Sequence, residues 1–325
     1  MPYDRSVFVT RDPEPSIAFD FMTSADDYIA DKLFDPKPVK KADTKVAQFD
    51  TSKLRLINTL KGTNAEADIV DEQLFYRNIT LQEHKASSEV NPRDVRDADI
   101  PQLIGDVRKT KLAMQALLNY RESLAVTLAT TSGNYMSTLT SAISSGSRMN
   151  EAGGDPEQNK TDADTALLNA CGMTANAMAC SWETLEKIRN GPIFKSRTQY
   201  TSGAPVTDEQ IKAFFKVQHL FVGKARYDSA NEGAAVSTGG FWGTNVIFFV
   251  YNPSVALEDA SYGHMYMLGN GPVWTEVEVD KSRSGAAGAM RRITVGCEYV
   301  LDKGIVESST SSKFAAGYLF RTAVA

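Results

Sequence analysis

One long helix is predicted between residues 100 and 130, and it constrains the fold more than any other segment. Its apolar residues recur at the spacing of one helix face: Leu103, Ile104, Val107, Met114, Leu117, Leu118, Leu124, Ala125 and Leu128. Asp99 is a suitable N-cap residue, and Pro101 is tolerated in the first turn. Such a helix would be about 45 Å long, beyond the usual three or four turns. It therefore predicts a structural spine rather than the wall of a small pocket.

The segments that precede this helix have no evident core of their own. Residues 1–50 hold five prolines, a density typical of an extended arm, and the amphipathic residues 26–34 within it are expected to dock on a neighbour. Residues 75–85 alternate in polarity like one long strand, with residues 54–57 as the expected partner. Because a two-stranded hairpin is marginally stable alone in water, this hairpin needs a surface to lie on.

Helices and strands alternate in the second half of the chain, so the predicted fold class is α+β. Thr161 is the predicted cap of a helix ending before Gly172, Ser181 caps residues 182–189, and Thr207 with Gln210 forms a capping box. Further strands are predicted at 220–222, 245–251, 273–280, 291–301 and 314–320, and loops at 133–154 and 281–288.

The composition of the chain restricts the kinds of protein to which it can belong. The chain has 325 residues, of which 42% are hydrophobic and 23% charged, as in folded proteins of one or two domains. A net charge of -5 argues against a nucleic-acid reader but suits a container that must not grip its nucleic acid. Cys171, Cys180 and Cys297 are predicted to be buried and free, as in a reducing compartment. Without a secretory signal or a long apolar run, a soluble protein made in the cytoplasm is expected.

No group of residues stands out as a catalytic or metal-binding site. His84, His219 and His264 lie apart from other ligands, and no common catalytic motif occurs. Asp155, Asp162 and Asp164 are typical of a helix start. The glycine-rich residues 239–243 are interpreted as a turn before a buried strand, and residues 264–267 as core or interface. We therefore predict no catalytic, cofactor-binding or metal-binding residues and no enzyme.

The order and character of these segments resemble the major capsid proteins of tailed DNA bacteriophages, which have the Hong Kong 97-type fold. Residues 28–39 resemble the stretch that leads into the extended loop, and residues 53–90 resemble that loop, a hairpin lying across an adjacent subunit. The long helix, with Tyr120–Arg121–Glu122 near its middle, resembles the spine helix. Residues 181–185 resemble an axial-domain helix after a strand, residues 241–243 the "WG" turn, and residues 273–301 the peripheral strands whose loop approaches a local three-fold axis.

The resemblance implies a division of the chain into six segments. These are an N-terminal arm (1–50), an extended loop (51–98), a peripheral domain with the spine helix (99–160), an axial α/β domain (161–268), a peripheral β-hairpin (269–301) and a C-terminal segment that returns to the axial domain (302–325).

The same resemblance implies self-assembly into hexamers and pentamers that form an icosahedral shell around phage double-stranded DNA, in a virion assembled in the host cytoplasm. The implied partners are further copies of the chain, DNA by weak non-specific contact, and portal, scaffolding and decoration proteins, with no membrane. The chain leaves no room for the removable scaffolding segment of some members, so scaffolding is expected to be separate or unnecessary. No Lys–Asn crosslink is assigned to Lys61, Lys85 or Asn270.

Two alternatives stay open at this point. An encapsulin-like nanocompartment shell has the same fold and would enclose a protein cargo instead of DNA. A soluble enzyme is the third reading, since the lack of motifs does not by itself exclude catalysis.

Overall fold

The computed structural model describes residues 26–48, 60, 75–93, 105–198, 206–230, 235, 237–253, 260–269, 273–285, 288–303 and 313–325. These residues form six α-helices: α1 (Ala30–Leu33), α2 (Asp106–Thr130), α3 (Pro156–Cys171), α4 (Trp182–Arg189), α5 (Pro192–Thr198) and α6 (Asp208–Phe215). They also form fourteen strands: β1 (Asp35–Val39), β2 (Asp43–Gln48), β3 (Phe75–Thr80), β4 (Gln82–Val90), β5 (Thr140–Ala142), β6 (Ala177–Ser181), β7 (His219–Gly223), β8 (Arg226–Asp228), β9 (Thr238–Gly240), β10 (Val246–Phe249), β11 (Gly263–Leu268), β12 (Val273–Gly285), β13 (Gly288–Lys303) and β14 (Gly317–Arg321).

The predicted spine helix is present as α2, but it is shorter than expected. It has 25 residues, which corresponds to about 37 Å, and Gly105 with extended backbone angles is its N-cap. The predicted start at Asp99 is therefore wrong, and Asp99 and Pro101 lie outside the described residues. The buried face carries the predicted apolar residues Met114, Leu117, Leu118 and Ala125, whereas Val107 is exposed.

Two five-stranded sheets and two ribbons organise the rest of the described chain. One sheet has the order β1-β11-β13-β12, with β4 also paired to β13, and α2 lies against β4 and β13. The other sheet has the order β5-β14-β10-β6-β7. The two ribbons are β2–β3 and β8–β9. Buried residues from both sheets, α1 and α2 form one hydrophobic cluster, so the two sheets share a continuous core.

Two of the three helix starts predicted in the second half of the chain are confirmed. Ser181 caps α4 through a bond from the Thr184 N–H, and Thr207 and Gln210 form the predicted capping box of α6. The start of α3 at Thr161 is wrong, because Asp155 caps this helix through the Gln158 N–H and Pro156 is tolerated in its first turn. The helix ends at Gly172, whose left-handed backbone accounts for the predicted stop.

The strand predictions need three corrections. Residues 75–85 form parts of two strands, because the Leu81 N–H donates to Ala42 and the chain then changes its pairing from β2 to β13. The predicted 281–288 loop is shorter, since β12 continues to Gly285, which pairs with Gly288. The predicted 133–154 loop contains β5, which pairs in parallel with β14. The expected hairpin partner, residues 54–57, lies outside the described residues.

Part of the predicted arm belongs to the body of the subunit. Residues Ile29, Leu33 and Phe34 are buried in the common core instead of docking on a neighbour. The next residues form β1, which pairs in parallel with β11 at the edge of the sheet. Pro36 and Pro38 are tolerated there because an edge strand does not need every backbone N–H for pairing.

The β1–β11 pair generates a prediction about pH. His264 is 7% exposed, its Nδ1 has no hydrogen-bond partner, and burial together with the nearby Lys37 lowers its pKa to about 4. Between about pH 6.5 and pH 4 the unfolded chain binds more protons at this position. The free energy of unfolding should therefore decrease by about 3 kcal/mol as the pH falls through this range.

Denaturant unfolding of the wild type and of His264→Gln at pH 7 and pH 4.5 measures this contribution. We expect the variant to lose the His264 part of the pH dependence. His219→Gln, which changes an exposed ring, is the matched control and should keep the wild-type dependence. Equal pH dependence in His264→Gln and the wild type would contradict the prediction.

Candidate assembly elements and the contacts that hold them

A buried carboxylate in the middle of α2 connects three distant parts of the chain. Glu122 Oε1 accepts hydrogen bonds from the Trp242 indole N–H at 2.6 Å and from the Ile29 backbone N–H at 3.2 Å. Its Oε2 accepts the Ala30 backbone N–H at 2.9 Å. Desolvation raises the pKa of Glu122, while the three donors act in the opposite direction. The spine helix thus holds both the start of α1 and the turn before β10.

Local backbone geometry presents these donors to Glu122. The N–H groups of Ile29 and Ala30 lie at the start of α1, where a helix cannot satisfy them internally. Trp242 is followed by Gly243, whose φ of 57° favours glycine. Gly223 gives the indole room, because a Cβ there would lie 2.3 Å from Trp242 Cδ1. Of the turn predicted at residues 239–243, Gly239 and Gly240 belong to β9 and only residues 241–243 form the turn, whose Trp242 is part of the buried contact.

The neighbouring residue on α2, Arg121, makes a second contact with α1. Its Nη2 donates to Asp31 Oδ2 at 2.8 Å, and its guanidinium carbon lies 6.0 Å from the centre of the Tyr299 ring on β13. The Arg121 side chain is only 5% exposed. Removing its partner would leave a buried cation without compensation, which is strongly destabilising.

Sequence patterns do not predict the buried contacts of Arg121 and Glu122. A signal was nevertheless present, because both occupy helix positions between Leu118 and Ala125 on the predicted apolar face. Two charged residues on a face that is otherwise buried indicate a buried polar contact. Their partners are 90 or more positions away in the sequence, so periodicity alone does not reveal them.

The β2–β3 ribbon is the described base of the predicted extended loop. On its inner face Val46 and Ile79 pack with Leu81 and with Tyr266 of β11. Arg77, also on this face, forms an ion pair with Asp302 of β13 at 2.6 Å. These contacts supply the surface that an isolated two-stranded hairpin lacks.

The outer face of the same ribbon is exposed. Tyr76, Asn78 and Thr80 alternate with the inner residues, and Tyr76 is 60% exposed, which is unusual for so large an aromatic residue. The ladder extends from the Asp43–Thr80 pair to the Gln48–Phe75 pair, and residues 49–74 connect the two strands at the Gln48–Phe75 end.

The second outward element is the β12–β13 hairpin. Its register is continuous from Val273–Cys297 to Asp280–Met290, and an irregularity follows before the Gly285–Gly288 pair. Ile293 and Val295 on its second strand are fully buried. The hairpin is therefore held in the sheet through β13, which also pairs with β4.

The residues considered for chemistry are not assembled into a reactive site. His84 stacks on Tyr299, His219 contacts Phe221, and His264 is buried on β11. The three cysteines are free and buried, as predicted. Residues 264–267 are buried, in agreement with their assignment to core or interface. Within the described ranges, no three or more His, Cys, Asp or Glu side chains are arranged to hold a metal ion.

The other residues named in the sequence analysis form ordinary ion pairs and hydrogen bonds where the structure describes them. Lys85 is exposed and forms an ion pair with Glu83 at 3.3 Å, while Lys61 and Asn270 lie outside the described residues. Asp164 forms an ion pair with Lys160. Asp162 accepts a hydrogen bond from Gln158. None of the helices in the described part of the chain is both long and apolar enough to cross a membrane.

A cleft of about 350 Å³ lies at the start of α4. Its polar lining includes Ser181, Glu183, Lys224 and Arg226. The Ser181 hydroxyl donates a hydrogen bond to the Gly243 carbonyl and accepts one from the Thr184 backbone N–H. Glu183 forms an ion pair with Arg226 at 2.6 Å. Among the described residues that line the cleft there is no histidine or cysteine.

The Glu122 contact generates a stability prediction. Glu122→Gln preserves the size of the side chain but replaces one acceptor oxygen by an NH₂ group. This group is a donor, and it would face an N–H group that has lost its acceptor. We expect the free energy of unfolding to fall by about 1–3 kcal/mol, because a buried donor loses its acceptor. Denaturant unfolding followed by circular dichroism measures the change. Glu209→Gln, at an exposed ion pair of α6, is the control, and an equally small loss in both variants would contradict the prediction.

Comparisons with known proteins agree with this architecture. No protein-family model matches the chain. The major capsid protein of Burkholderia phage BcepMu is 23% identical over 222 residues, which cover 68% of this chain and 70% of that protein. A phage-related protein from Bordetella bronchiseptica RB50 has a similar structure, with a TM-score of 0.70, 22% identity and 98% coverage of both chains.

Two more distant structures share the fold. The virus-like particle from Pyrococcus furiosus matches with a TM-score of 0.55, 12% identity, and coverage of 95% of this chain and 98% of that chain. A protein of Mycobacterium phage Bobi matches with a TM-score of 0.53, 10% identity, and coverage of 90% and 89%. The chain therefore shares the fold of these structures, and the predicted Hong Kong 97-type α+β fold is confirmed.

Proposed function

We propose that this chain is a major capsid protein, which self-assembles into hexamers and pentamers and forms an icosahedral shell around phage double-stranded DNA. The observation that carries the proposal is the β2–β3 ribbon. Its inner face is packed and ion-paired against the body, while its outer face exposes Tyr76 and its Gln48–Phe75 end leads into residues 49–74. A ribbon fixed in this way is suited to contact other subunits.

Many modest contacts are sufficient for such a shell. Each subunit that joins the shell contacts several neighbours at once, so individually weak contacts add up to stable assembly. Repeated identical contacts also favour closed symmetric assemblies. We extend the proposal to the six-segment division of the chain, with residues 51–98 as the extended loop that lies across an adjacent subunit.

The charge of the chain supports a limited role for DNA contact. With a net charge of -5, the subunit lacks the concentrated cationic surface that tight phosphate binding requires. We propose weak, non-specific contact with packaged DNA in a virion capsid assembled in the host cytoplasm. Portal, scaffolding and decoration proteins are the further partners of such a shell, and no enzymatic activity is part of the proposal.

Electron microscopy of the purified full chain tests self-assembly. We expect closed shells of many subunits, and a persistent monomer or dimer over a range of salt and protein concentrations would contradict the proposal. In particles isolated from the source organism, nuclease-protected double-stranded DNA is expected. A protein cargo without DNA would instead favour the nanocompartment alternative.

A loop-shortened variant tests the assignment of the extended loop. Replacing residues 52–71 with a short Gly–Ser turn leaves the Gln48–Phe75 pair and the inner contacts of the ribbon in place. We expect a folded subunit, with circular dichroism and melting temperature close to the wild type, that forms no shells. The control variant carries the same short Gly–Ser sequence after Ala325 and should form normal shells. Normal shells from the shortened variant would contradict the assignment.

A further inference from the structure

The outward side of α2 carries positive charge and no exposed carboxylate. Arg108 and Lys111 are exposed and Lys109 is half-buried, and all three lie in the first two turns of the helix. The structure describes α2 in full, and neither of its acidic residues adds to this side. Asp106 is held in an ion pair with β13, and Glu122 is buried. We call the outward side of this helix the cationic helix face.

These cations are placed unfavourably for the helix itself. The N-terminal end of a helix carries a partial positive charge, so acidic side chains stabilise its first turns and basic ones do not. Residues that oppose the local preference of an element, with no gain for the fold, indicate a functional role. The three cations are therefore candidates for contact with an anion outside the subunit.

The sheet behind α2 presents the opposite charge. The helix packs on the side of β13 that carries the buried Ile293 and Val295, so the alternate residues point away from it. Glu89 forms an ion pair with Arg292 at 2.8 Å on this outer side. The strand register places six carboxylates and two cations there, which together define the acidic sheet face: Glu83, Glu89, Glu276, Glu278, Asp280 and Glu298, with Lys85 and Arg292.

A polyanion distinguishes between these two faces. The acidic sheet face repels phosphate groups, whereas the cationic helix face attracts them. Farther along α2, Gln115 and Ser123 are exposed and offer uncharged donors, which also bind phosphate oxygens in complexes with DNA. A basic stripe on one side of a helix is the electrostatic pattern expected of a surface that contacts nucleic acid.

A second group of cations lies on and before the β2–β3 ribbon. Lys40, Lys41 and Lys45 are exposed there, but the exposed carboxylate of Asp43 lies among them. This ribbon is also the element that we assign to contacts between subunits. The α2 cations are therefore the better candidates for DNA, and the ribbon supplies a control of equal charge.

We propose that the cationic helix face contacts the packaged DNA, with Arg108, Lys109 and Lys111 bound to phosphates, and that the acidic sheet face lies away from the DNA. The inference rests on the proposed function for the identity of its partner. Contacts with phosphates carry no sequence information, so the binding is non-specific. It is weak in each subunit and is repeated in every subunit of the shell.

Binding of a short random-sequence DNA duplex to the dilute, unassembled full chain tests this site. The variant replaces Arg108, Lys109 and Lys111 by Gln, which is also a good helix former. We expect fluorescence anisotropy at low salt to show an affinity at least tenfold lower than that of the wild type. The slope of log K against log[salt] should become shallower by about 2–3, because each phosphate contact contributes about 0.9.

The matched control replaces Lys40, Lys41 and Lys45 by Gln, which removes the same charge from the ribbon. We expect it to keep an affinity close to the wild type. Equal losses in the two variants would overturn the proposal, because net charge and not the helix face would then decide binding. Absence of binding by the wild type at low salt would also overturn it.

A second pair of variants changes one exposed side chain each, in case a triple variant does not fold. Lys111→Glu and Lys45→Glu alter the net charge equally, and we expect the larger loss of affinity from Lys111→Glu. Equal affinity in these two variants would overturn the proposal.

The rival partner for the cationic helix face is the acidic sheet face of a second copy. A triple α2 variant that keeps the wild-type affinity for DNA but forms no shells would assign the cations to that contact and would overturn the proposal. The binding measurement needs no shells, so its failure is separate from failure of the proposed function.

Photocrosslinking in DNA-filled particles tests the orientation of the two faces. A photoreactive residue in place of Gln115 should link to DNA, because this position lies on the cationic helix face. The same residue in place of Glu276 should not, because it lies on the acidic sheet face. Links from Glu276 and none from Gln115 would overturn the proposal.

Discussion

The architecture of this subunit depends on the hydrogen bonds of one buried carboxylate. Glu122 lies in the spine helix and binds the first N–H groups of α1 and the indole of Trp242 before β10. Desolvating a carboxylate is costly, so this arrangement is stable only because every donor is in place. Arg121 adds an ion pair to the same short helix. The long helix therefore acts as a common support for segments that are remote in sequence.

The same support explains how the subunit presents outward elements without losing its fold. The β2–β3 ribbon rests on the sheet that packs against α2, and the β12–β13 hairpin belongs to that sheet. Ribbons of two strands are unstable alone, and here buried residues and the Arg77–Asp302 ion pair hold the base of the first one. A rigid base with an exposed outer face suits a subunit that works by binding copies of itself.

Much of the local structure could be predicted from short-range patterns. The capping box of Thr207 and Gln210, the Ser181 cap and the stop at Gly172 are local backbone chemistry, and all three are confirmed. The predicted start of the spine helix is too early, because apolar periodicity continues upstream of Gly105 while the described helix begins at Asp106. Alternation predicts one strand at residues 75–85, because alternation alone does not show that the pairing partner changes at Leu81.

The sequence by itself determined the α+β class, the spine helix and the caps, because these depend on periodicity and local backbone chemistry, and the capsid fold was implied by the resemblance of its segments to a known family. Only the tertiary structure decided that residues 29–39 belong to the body, and that Arg121 and Glu122 hold α1 and the Trp242 turn. The physical reason is that a buried charge is stable only beside its partners. Those partners are brought together by the folding of segments that lie some 90 to 120 positions away.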